Sequence, residues 1–228
     1  MISILLPSRK RPEEFERMVD SIDATSFKSS EYGIDIVARF DEDDEESARA
    51  AENSGVTVII GPRHREITRM WNECFDRCIG DIVVQANDDC VWITPEWNRM
   101  VEESFAAHPD KILLVHGDDA GCHHGSFGPH PFLHRRWVEA QGFFIPPYFS
   151  SDFGDTWNND IADILGRRLY LPFVIEHRHF VFGKAKIDEN TRDRLQRHAE
   201  DNPEKIYADK LPERLAIAER LRRMMVPR

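Results

Sequence analysis

The chain has 228 residues, of which 41% are hydrophobic and 31% are charged. This length and composition are typical of a globular protein with one sizeable core and exclude a disordered chain. The formal net charge of −11 argues against a broad nucleic-acid-binding surface, and no apolar run is long enough to cross a bilayer.

The chain begins with Ile2-Ser3-Ile4-Leu5-Leu6-Pro7, which lacks the basic region that opens a signal peptide and predicts a first strand. Its four cysteines are too few for a disulfide framework in a protein of this size. Cys74 and Cys78 stand one helical turn apart, where two small buried residues are favoured over a metal-binding pair. We therefore expect a reduced, cytoplasmic setting.

The first half alternates predicted strands and helices. Strands are predicted over residues 2–6, 33–40, 56–60, 82–86 and 111–116. Helices are predicted over 12–22 and 67–78, and a third opens with Thr94 as N-cap and Pro95 at the first helical position. This alternation predicts an α/β fold with a mostly parallel, Rossmann-like sheet and helices on both faces.

The second half is less regular. Residues 116–134 are rich in Gly, His and Pro and predict a loop that carries function or moves. A helix over 155–165, ended by Gly166, precedes a strand over 169–176. From residue 188 the sequence predicts a charged helical tail with 10 Lys/Arg against 9 Asp/Glu, so the acidity lies in the first 187 residues. The sparse apolar stripe of this tail consists of Leu211, Leu215, Ile217 and Leu221.

Acidic turns follow three of the predicted strands. The second strand runs into residues 41–44, the fourth ends at Asp88-Asp89, and the fifth leads to Asp118-Asp119. Because ligands of open α/β sheets bind outside the carboxyl ends of the strands, these turns are expected to meet at one site. Carboxylates there suit Mg²⁺ or Mn²⁺, which bind through one or two carboxylates together with substrate phosphates. Acidic residues are also common in solvated turns that merely end a strand. For Asp118-Asp119 a ligand site and a solvated turn are equally favoured.

The order of these segments resembles the GT-A-fold, family-2-like glycosyltransferases, mainly over the first half of the chain. Pro7-Ser8-Arg9 and Asp41 match the places where that family holds the nucleotide base and ribose, although residues 41–44 depart from the usual Asp-Asp-Gly-Ser pattern. Asn87-Asp88-Asp89 matches the DXD-type element of the family. The resemblance implies that Asp88 faces the donor ribose and Asp89 binds the metal that bridges the diphosphate. It also implies a bidentate contact from Arg69 to the same phosphates.

The segment from Ser151 to Trp157 looks like the part of the family that supplies the catalytic base. A carboxylate at a helix N-terminus is kept ionised by the helix dipole and can accept a proton. Asp155 is best placed and Asp152 second, and one of the two is expected to be an N-cap. In several GT-A enzymes a histidine beyond this helix completes the metal shell. The resemblance therefore implies that His177 is a metal ligand, and a purely structural role for His177 is the equally favoured alternative.

The loop over residues 117–131 follows a strand whose carboxyl end is expected beside the donor site. Its Asp118, Asp119, His123 and His124 carry hydrogen-bonding groups suited to a polyhydroxylated acceptor, so we expect them in the acceptor wall. Zinc is a weaker alternative, for which Cys122, His116, His123, His124 and His130 are the possible ligands. The contiguous run Cys122-His123-His124 cannot supply three tetrahedrally converging ligands from one turn. Six aromatic residues nearby form either a stacking platform or the core of a subdomain. They are Phe127, Phe132, Phe143, Phe144, Tyr148 and Phe149.

The resemblance implies a metal-dependent glycosyltransferase that uses Mn²⁺ or Mg²⁺. It would move a sugar from a nucleotide-diphosphate donor, with UDP favoured, to an acceptor hydroxyl with inversion. Residues 1–187 would form the glycosyltransferase domain, divided into a nucleotide-sugar and metal half (1–116) and an acceptor half (117–187), and residues 188–228 the tail.

The acceptor stays open among a glycan, a lipid-linked glycan, a protein and a modified nucleobase, and the oligomeric state is undetermined. Two other functions are weighed against transfer of a sugar. A nucleotidyltransferase normally carries a glycine-rich loop after its first strand, which residues 8–11 lack. A catalytically inactive nucleotide-sugar- or carbohydrate-binding module would keep the fold without the acidic residues at the strand ends.

Overall fold

The computed structural model describes residues 1–29, 32–121 and 123–226. The strands are β1 (Ile2–Ser8), β2 (Ile34–Asp41), β3 (Thr57–Gly61), β4 (Ile82–Gln85), β5 (Cys90–Trp92), β6 (Leu114–Asp118), β7 (Phe132–His134) and β8 (Arg168–His177). The helices are α1 (Pro12–Thr25), α2 (Glu45–Asn53), α3 (Ile67–Phe75), α4 (Trp97–Ala106), α5 (Arg135–Gln141), α6 (Gly154–Leu165), α7 (Glu189–Asp201), α8 (Pro203–Asp209) and α9 (Leu211–Arg222). A 3₁₀ turn, Phe180–Phe182, follows β8.

Strand β1 is the centre of the parallel part of the sheet. All seven of its residues are buried, as expected for a strand that is covered by helices on both faces. It pairs in parallel with β2, where Ile2 lies opposite Ile34, and with β4, where Ile2 lies opposite Ile82. Strand β2 pairs in parallel with β3. The strands β3-β2-β1-β4 therefore all end at one edge of the sheet.

The full strand order is β3-β2-β1-β4-β7-β6-β8-β5. Strand β7 is antiparallel to both β4 and β6, so β6 runs in the same direction as β4. Across the described residues four strand pairings are parallel and three are antiparallel. The predicted α/β fold with a mostly parallel sheet is confirmed, and the acidic ends of β2, β4 and β6 share one edge.

Four short elements and one helix start differ from the sequence-based expectation. Strands β5 and β7 and helices α2 and α5 were not predicted, since each has nine residues or fewer and shows too few periodic positions. Helix α4 begins at Trp97, and Glu96 before it has a left-handed backbone with φ of 60°. The predicted cap at Thr94 is wrong, because its hydroxyl accepts a hydrogen bond from Val174 N of β8 at 2.9 Å instead.

Hydrophobic packing covers both faces of the sheet, as predicted. Helices α1, α2 and α4 pack on one face, and α3, α5, α6 and α9 pack on the other. The aromatic residues of the second half belong mainly to this packing, with Phe132, Phe144 and Phe149 fully buried. Their predicted alternative as a core is therefore confirmed for these three residues.

The carboxyl-terminal segment packs against the rest of the protein. Ile217 and Leu221 of α9 are buried in the second core cluster, whereas Leu211 and Leu215 are 44% and 49% exposed. The predicted apolar stripe is thus right for two of its four members. Among the described residues, no helix has the length and apolarity needed to cross a bilayer.

Candidate active site

A cleft of about 680 Å³ opens at the carboxyl edge of the parallel strands. Its walls come from the ends of β1, β2 and β4, the first turn of α6, the segment after β8 and one side of α7. This volume is typical of small-molecule binding sites. The predicted site residues that line the cleft are Pro7, Ser8, Arg9, Asp41, Asp88, Asp89, Asp119, His123, Asp152, Asp155 and His177.

Asp88 is buried just after β4, and both of its carboxylate oxygens accept hydrogen bonds. Ser8 Oγ donates to Oδ2 at 2.8 Å and Arg11 Nη1 donates to Oδ1 at 3.0 Å. Burial raises the pKa of Asp88 and outweighs Arg11, which lowers it, while Asp89 adds to the rise. Arg11 Nε also donates to Asp188, the N-cap residue of α7, at 2.7 Å. Asp88 is therefore linked through one guanidinium to α7.

Asp41 at the end of β2 is held by two arginines. Arg9 Nη1 donates to Oδ2 at 2.9 Å, and Arg39 Nη1 donates to Oδ1 at 2.6 Å. Arg39 is fully buried and donates in addition to Glu73 and to two backbone carbonyl oxygens. Arg9 and Asp41 together present a donor and an acceptor to the same part of the cleft.

Asp89 lies against His177, the last residue of β8. Asp89 Oδ1 is 3.3 Å from His177 Nε2, yet this buried oxygen makes no hydrogen bond of good geometry with any described residue. The ion pair with His177 therefore leaves this oxygen without a well-aligned donor, a position that a bound cation or ligand would fill. Backbone bonds fix the pair, since Arg178 N donates to Asp89 O at 2.9 Å and His177 N donates to Asp119 O at 3.0 Å.

The charges around this pair favour an ionised carboxylate beside an imidazole. Burial raises the pKa of Asp89, but His177 outweighs it and the pKa lies below its ordinary value. Burial lowers the pKa of His177, but Asp89 and two further carboxylates raise it above its ordinary value. His130, packed beside His177, has its pKa lowered to about 3 by burial and by that neighbour. Across the part of the chain that the structure describes, no three His, Cys, Asp or Glu side chains are arranged to hold a metal ion by themselves.

Asp155 lies in the first turn of α6 and lines the cleft. Its Oδ1 accepts a hydrogen bond from Thr156 N at 2.7 Å. Burial raises the pKa of Asp155 and outweighs the hydrogen bond from Thr156 N, which lowers it, so this pKa is not held low as was expected at a helix N-terminus. A carboxylate with a raised pKa that faces a cleft is a better proton acceptor than an ordinary one.

Asp152 has a different environment. Arg194 Nε of α7 donates to Oδ1 at 2.9 Å, and His198 Nδ1 lies 2.6 Å from Oδ2. Burial raises the pKa of Asp152, but these two cations lower it below its ordinary value. Neither Asp152 nor Asp155 caps α6, contrary to the prediction, because the N-cap is Phe153 with a left-handed φ of 70°.

The predicted acceptor residues divide into two pairs. Asp119 and His123 line the cleft, whereas Asp118 and His124 do not. Asp118 Oδ1 accepts from Ala120 N at 2.7 Å and so shapes its own turn, and the side chain of His124 is exposed. Cys122, one of the possible zinc ligands, lies outside the described residues. Of the four residues predicted for the acceptor wall, only Asp119 and His123 therefore lie in the cleft.

Arg69 does not reach the cleft. Its side chain is 64% exposed, and Nε lies 3.5 Å from Glu73 Oε1. Helix α3 turns Ile67, Met70 and Trp71 toward the cleft instead, since successive helical residues are rotated by about 100° around the axis. The implied contact of Arg69 with the donor phosphates is not supported by this geometry.

Several cleft residues were not predicted. Arg63 follows the end of β3, and the strand-end rule that flagged the carboxylates would have flagged it as well. The residues of α7 had no such signal, because a charged tail gives no indication of where it docks. Those that line the cleft are Asn190, Thr191, Asp193, Arg194 and Arg197.

Helix α7 is attached mainly through charges, and Thr191 is its one buried residue. Ion pairs join it to both walls of the cleft. On the β1–β3 side they are Lys10–Glu189, Arg11–Asp188, Arg63–Asp193, Arg65–Glu200 and Arg65–Asp201. On the α6 side they are Arg194–Asp152 and His198–Asp152.

We found no match to a protein-family profile and none among curated protein sequences. Solved structures do match. The mannosyltransferase PcManGT from Pyrobaculum calidifontis, in complex with GDP-Man and Mn²⁺, is 15% identical with a TM-score of 0.59, and the match covers 95% of this chain and 73% of that chain. S. aureus TarS 1-349 in complex with UDP is 12% identical with a TM-score of 0.58, and the match covers 86% and 71%.

A third solved structure is glucosyl-3-phosphoglycerate synthase from Mycobacterium tuberculosis in complex with Mn²⁺, UDP-Glc and phosphoglyceric acid. It is 18% identical with a TM-score of 0.55, and the match covers 86% of this chain and 79% of that chain. For another S. aureus TarS structure the match covers 36% of that chain. At these identities the likeness establishes the fold, which is that of the GT-A glycosyltransferases.

Proposed function

We propose that the protein is a metal-dependent glycosyltransferase that uses a nucleotide-diphosphate sugar. The observation that carries this proposal is the buried Asp89 Oδ1, which lacks a hydrogen-bond partner among the described residues and lies 3.3 Å from His177 Nε2. It stands at the ligand-binding edge of a GT-A-type sheet, in a cleft of about 680 Å³.

The residues present fit Mn²⁺ or Mg²⁺. Asp89 and His177 would hold the ion, and the donor phosphates and water would complete its shell, as is usual for Mg²⁺ sites. A bound divalent ion neutralises the charge that develops on the leaving diphosphate. The fixed backbone of both residues supports this assignment, because neither needs to move far to share a ligand.

The donor nucleoside would lie between the ends of β1, β2 and β4. We assign Asp41 and Arg9, which line this part of the cleft, to an acceptor and a donor role toward the base, and Asp88, which accepts a hydrogen bond from Ser8, to the ribose hydroxyls. We favour UDP as the nucleotide and keep GDP as the second candidate, since the similar structures were solved with UDP, UDP-Glc or GDP-Man.

Asp155 is our candidate for the general base. It faces the cleft with a pKa raised by burial, whereas both oxygens of Asp152 are engaged by residues of α7. Asp155 would take the proton of the acceptor hydroxyl as that oxygen attacks the anomeric carbon, and a direct attack of this kind inverts its configuration. Asp119 and His123 are the side chains that we propose for the acceptor wall.

The test is UDP or GDP binding with and without Mn²⁺. A nucleotide at a hundredfold excess over its Kd should raise the melting temperature by about 5–10 °C, from about 2.7 kcal/mol of linkage and about 2–4 °C per kcal/mol for a chain of this size. In calorimetry, Asp89→Asn should lose most of the Mn²⁺-dependent affinity. Asp118→Asn is the matched control, because this carboxylate also ends a strand at the same edge but does not line the cleft.

Equal nucleotide affinity with and without Mn²⁺, unchanged in Asp89→Asn, would refute the metal assignment. A separate assay distinguishes an enzyme from a binding module. An enzyme releases free UDP from a UDP-sugar, whereas a binding module does not.

A further inference from the structure

Arg197 stands apart from the other arginines of the cleft. It lines the cleft from α7, and its Nε is buried without a hydrogen-bond partner. Arg9, Arg11, Arg63 and Arg194 all pair with carboxylates. Arg197 makes no hydrogen bond or ion pair with any residue in the described ranges. A guanidinium has five donors in a planar fork, and the buried Nε–H of this one has no acceptor among the described residues.

The surroundings of Arg197 make an unpaired cation more costly. Burial lowers the pKa of Arg197, and the guanidinium groups of Arg63 and Arg65 lower it further, while Asp193 and Asp201 act in the opposite direction. These two carboxylates are already paired with Arg63 and Arg65, respectively. Arg197 is thus a half-buried positive group whose nearest anions are occupied, and it lies in a cleft of ligand size.

We propose that Arg197, with Arg63 beside it, forms an anion subsite that binds a phosphate group of the ligand in this cleft. Planar guanidinium groups bind phosphate oxygens through two parallel hydrogen bonds. A subsite of this kind is expected to be unsatisfied until the phosphate arrives. Two sources share this chemistry, namely the diphosphate of the donor and a phosphate carried by the acceptor.

The subsite offsets a charge problem in the cleft. A diphosphate must approach Asp88 and Asp89, whose carboxylates repel it, and one divalent ion neutralises only part of that charge. An additional cation on α7 would attract the phosphates from the opposite wall. The identity of the natural ligand rests on the proposed function, whereas the phosphate affinity of Arg197 does not.

The experiment compares Arg197→Gln with wild type by calorimetry, using UDP, uridine and inorganic pyrophosphate, each with and without Mn²⁺. Loss of a charge-assisted hydrogen bond should weaken UDP and pyrophosphate binding about tenfold or more, while uridine binding stays unchanged. The melting temperature without ligand should stay equal or rise, because the substitution removes an unpaired cation. Arg197→Lys keeps the charge without the planar fork, so its affinities for UDP and pyrophosphate should lie between those of wild type and Arg197→Gln. Arg49→Gln, which removes an exposed arginine of α2 that pairs with Glu45, should bind like wild type.

Inorganic phosphate distinguishes the two sources. If UDP with Mn²⁺ excludes phosphate from the wild-type protein, the subsite belongs to the donor diphosphate. If phosphate still binds the UDP-saturated protein and Arg197→Gln abolishes this phosphate binding, the subsite belongs to a phosphate of the acceptor. Wild-type affinities in Arg197→Gln for UDP, pyrophosphate and phosphate would overturn the inference, as would a clearly lower melting temperature with unchanged binding. A wild-type protein that binds pyrophosphate through Arg197 but no nucleotide would refute the proposed function alone.

Discussion

Replacement of Arg39 by methionine should be among the most damaging single changes beside the cleft. Arg39 is fully buried in β2 and donates to Asp41, Glu73 and the carbonyl oxygens of Phe40 and Pro62. Methionine fills a similar volume but supplies none of these donors. Removing one partner of a buried ion pair costs about 3–5 kcal/mol. We expect the lower end, about 3 kcal/mol, because Asp41 keeps Arg9 as a partner.

This loss should lower the melting temperature by about 6–12 °C, at about 2–4 °C per kcal/mol for a chain of this size. Arg167→Met is the matched control, since Arg167 forms a similarly buried pair with Asp110 at 2.9 Å but does not line the cleft. Both variants should melt early in a calorimetric scan. Below their melting temperatures, only Arg39→Met should bind nucleotide more weakly, because Asp41 is no longer fixed. Equal nucleotide affinity in the two variants would refute the positioning of Asp41 by Arg39.

Three further outcomes are expected. Asp155→Asn should bind donor normally and transfer sugar about 10²-fold more slowly or worse, as measured by single-turnover release of nucleotide; a normal rate here with a slow rate in Asp152→Asn would move the base to Asp152. The pKa of His198 is raised above 6.5, chiefly by its hydrogen bond to Asp152, so the stability from this pair is fully present below pH 6.5 and is lost as pH rises through the raised value. Because His198 is partly exposed, we expect only about 0.5 kcal/mol, seen as a fall in melting temperature between pH 6 and pH 8 that is smaller in His198→Gln, where the raised pKa of His177 still contributes. Arg65→Gln should speed amide hydrogen exchange in α7 by about two- to fivefold, from about 0.5–1 kcal/mol of exposed ion pairs, whereas Arg49→Gln should leave it unchanged.

The strand-end carboxylates could be predicted because their signal is local. A short β-branched run indicates a buried strand, the acidic pair after it indicates where the strand ends, and parallel direction brings such ends to one edge. Asp41, Asp88, Asp89 and Asp119 line the cleft for this reason. Asp155 also has a local signal, because the sequence indicates that a helix starts near Gly154 and Asp155 lies in the first turn of that helix.

The side chains that hold these carboxylates could not be predicted. Arg11 lies only a few residues from Ser8, but no local pattern states that it bonds Asp88, 77 positions further along the chain. The start of α3 at Ile67 matches the prediction, but the phosphate contact of Arg69 came from the family resemblance alone, and its side chain is rotated by about 100° from that of Met70, which lines the cleft. The raised pKa of Asp155 depends on its burial in the folded chain, which outweighs the local hydrogen bond from Thr156 N.

Helix α7 shows most clearly where local reasoning ends. A helix that docks by an apolar stripe shows its inner face in the sequence. In contrast, α7 has a single buried residue and docks through carboxylates that pair with arginines from the segment between β1 and α1 and from the segment after β3. In the sequence, these charged residues look the same as those of a solvated helix surface, because their ion-pair partners lie in distant segments of the chain. This difference has a physical consequence, because the strand ends are fixed by buried hydrogen bonds whereas α7 is attached by partly exposed ion pairs that salt screens. Rising ionic strength should therefore loosen the α7 wall of the cleft, and with it Arg194 and Arg197, while Asp41 and Asp88 stay in place.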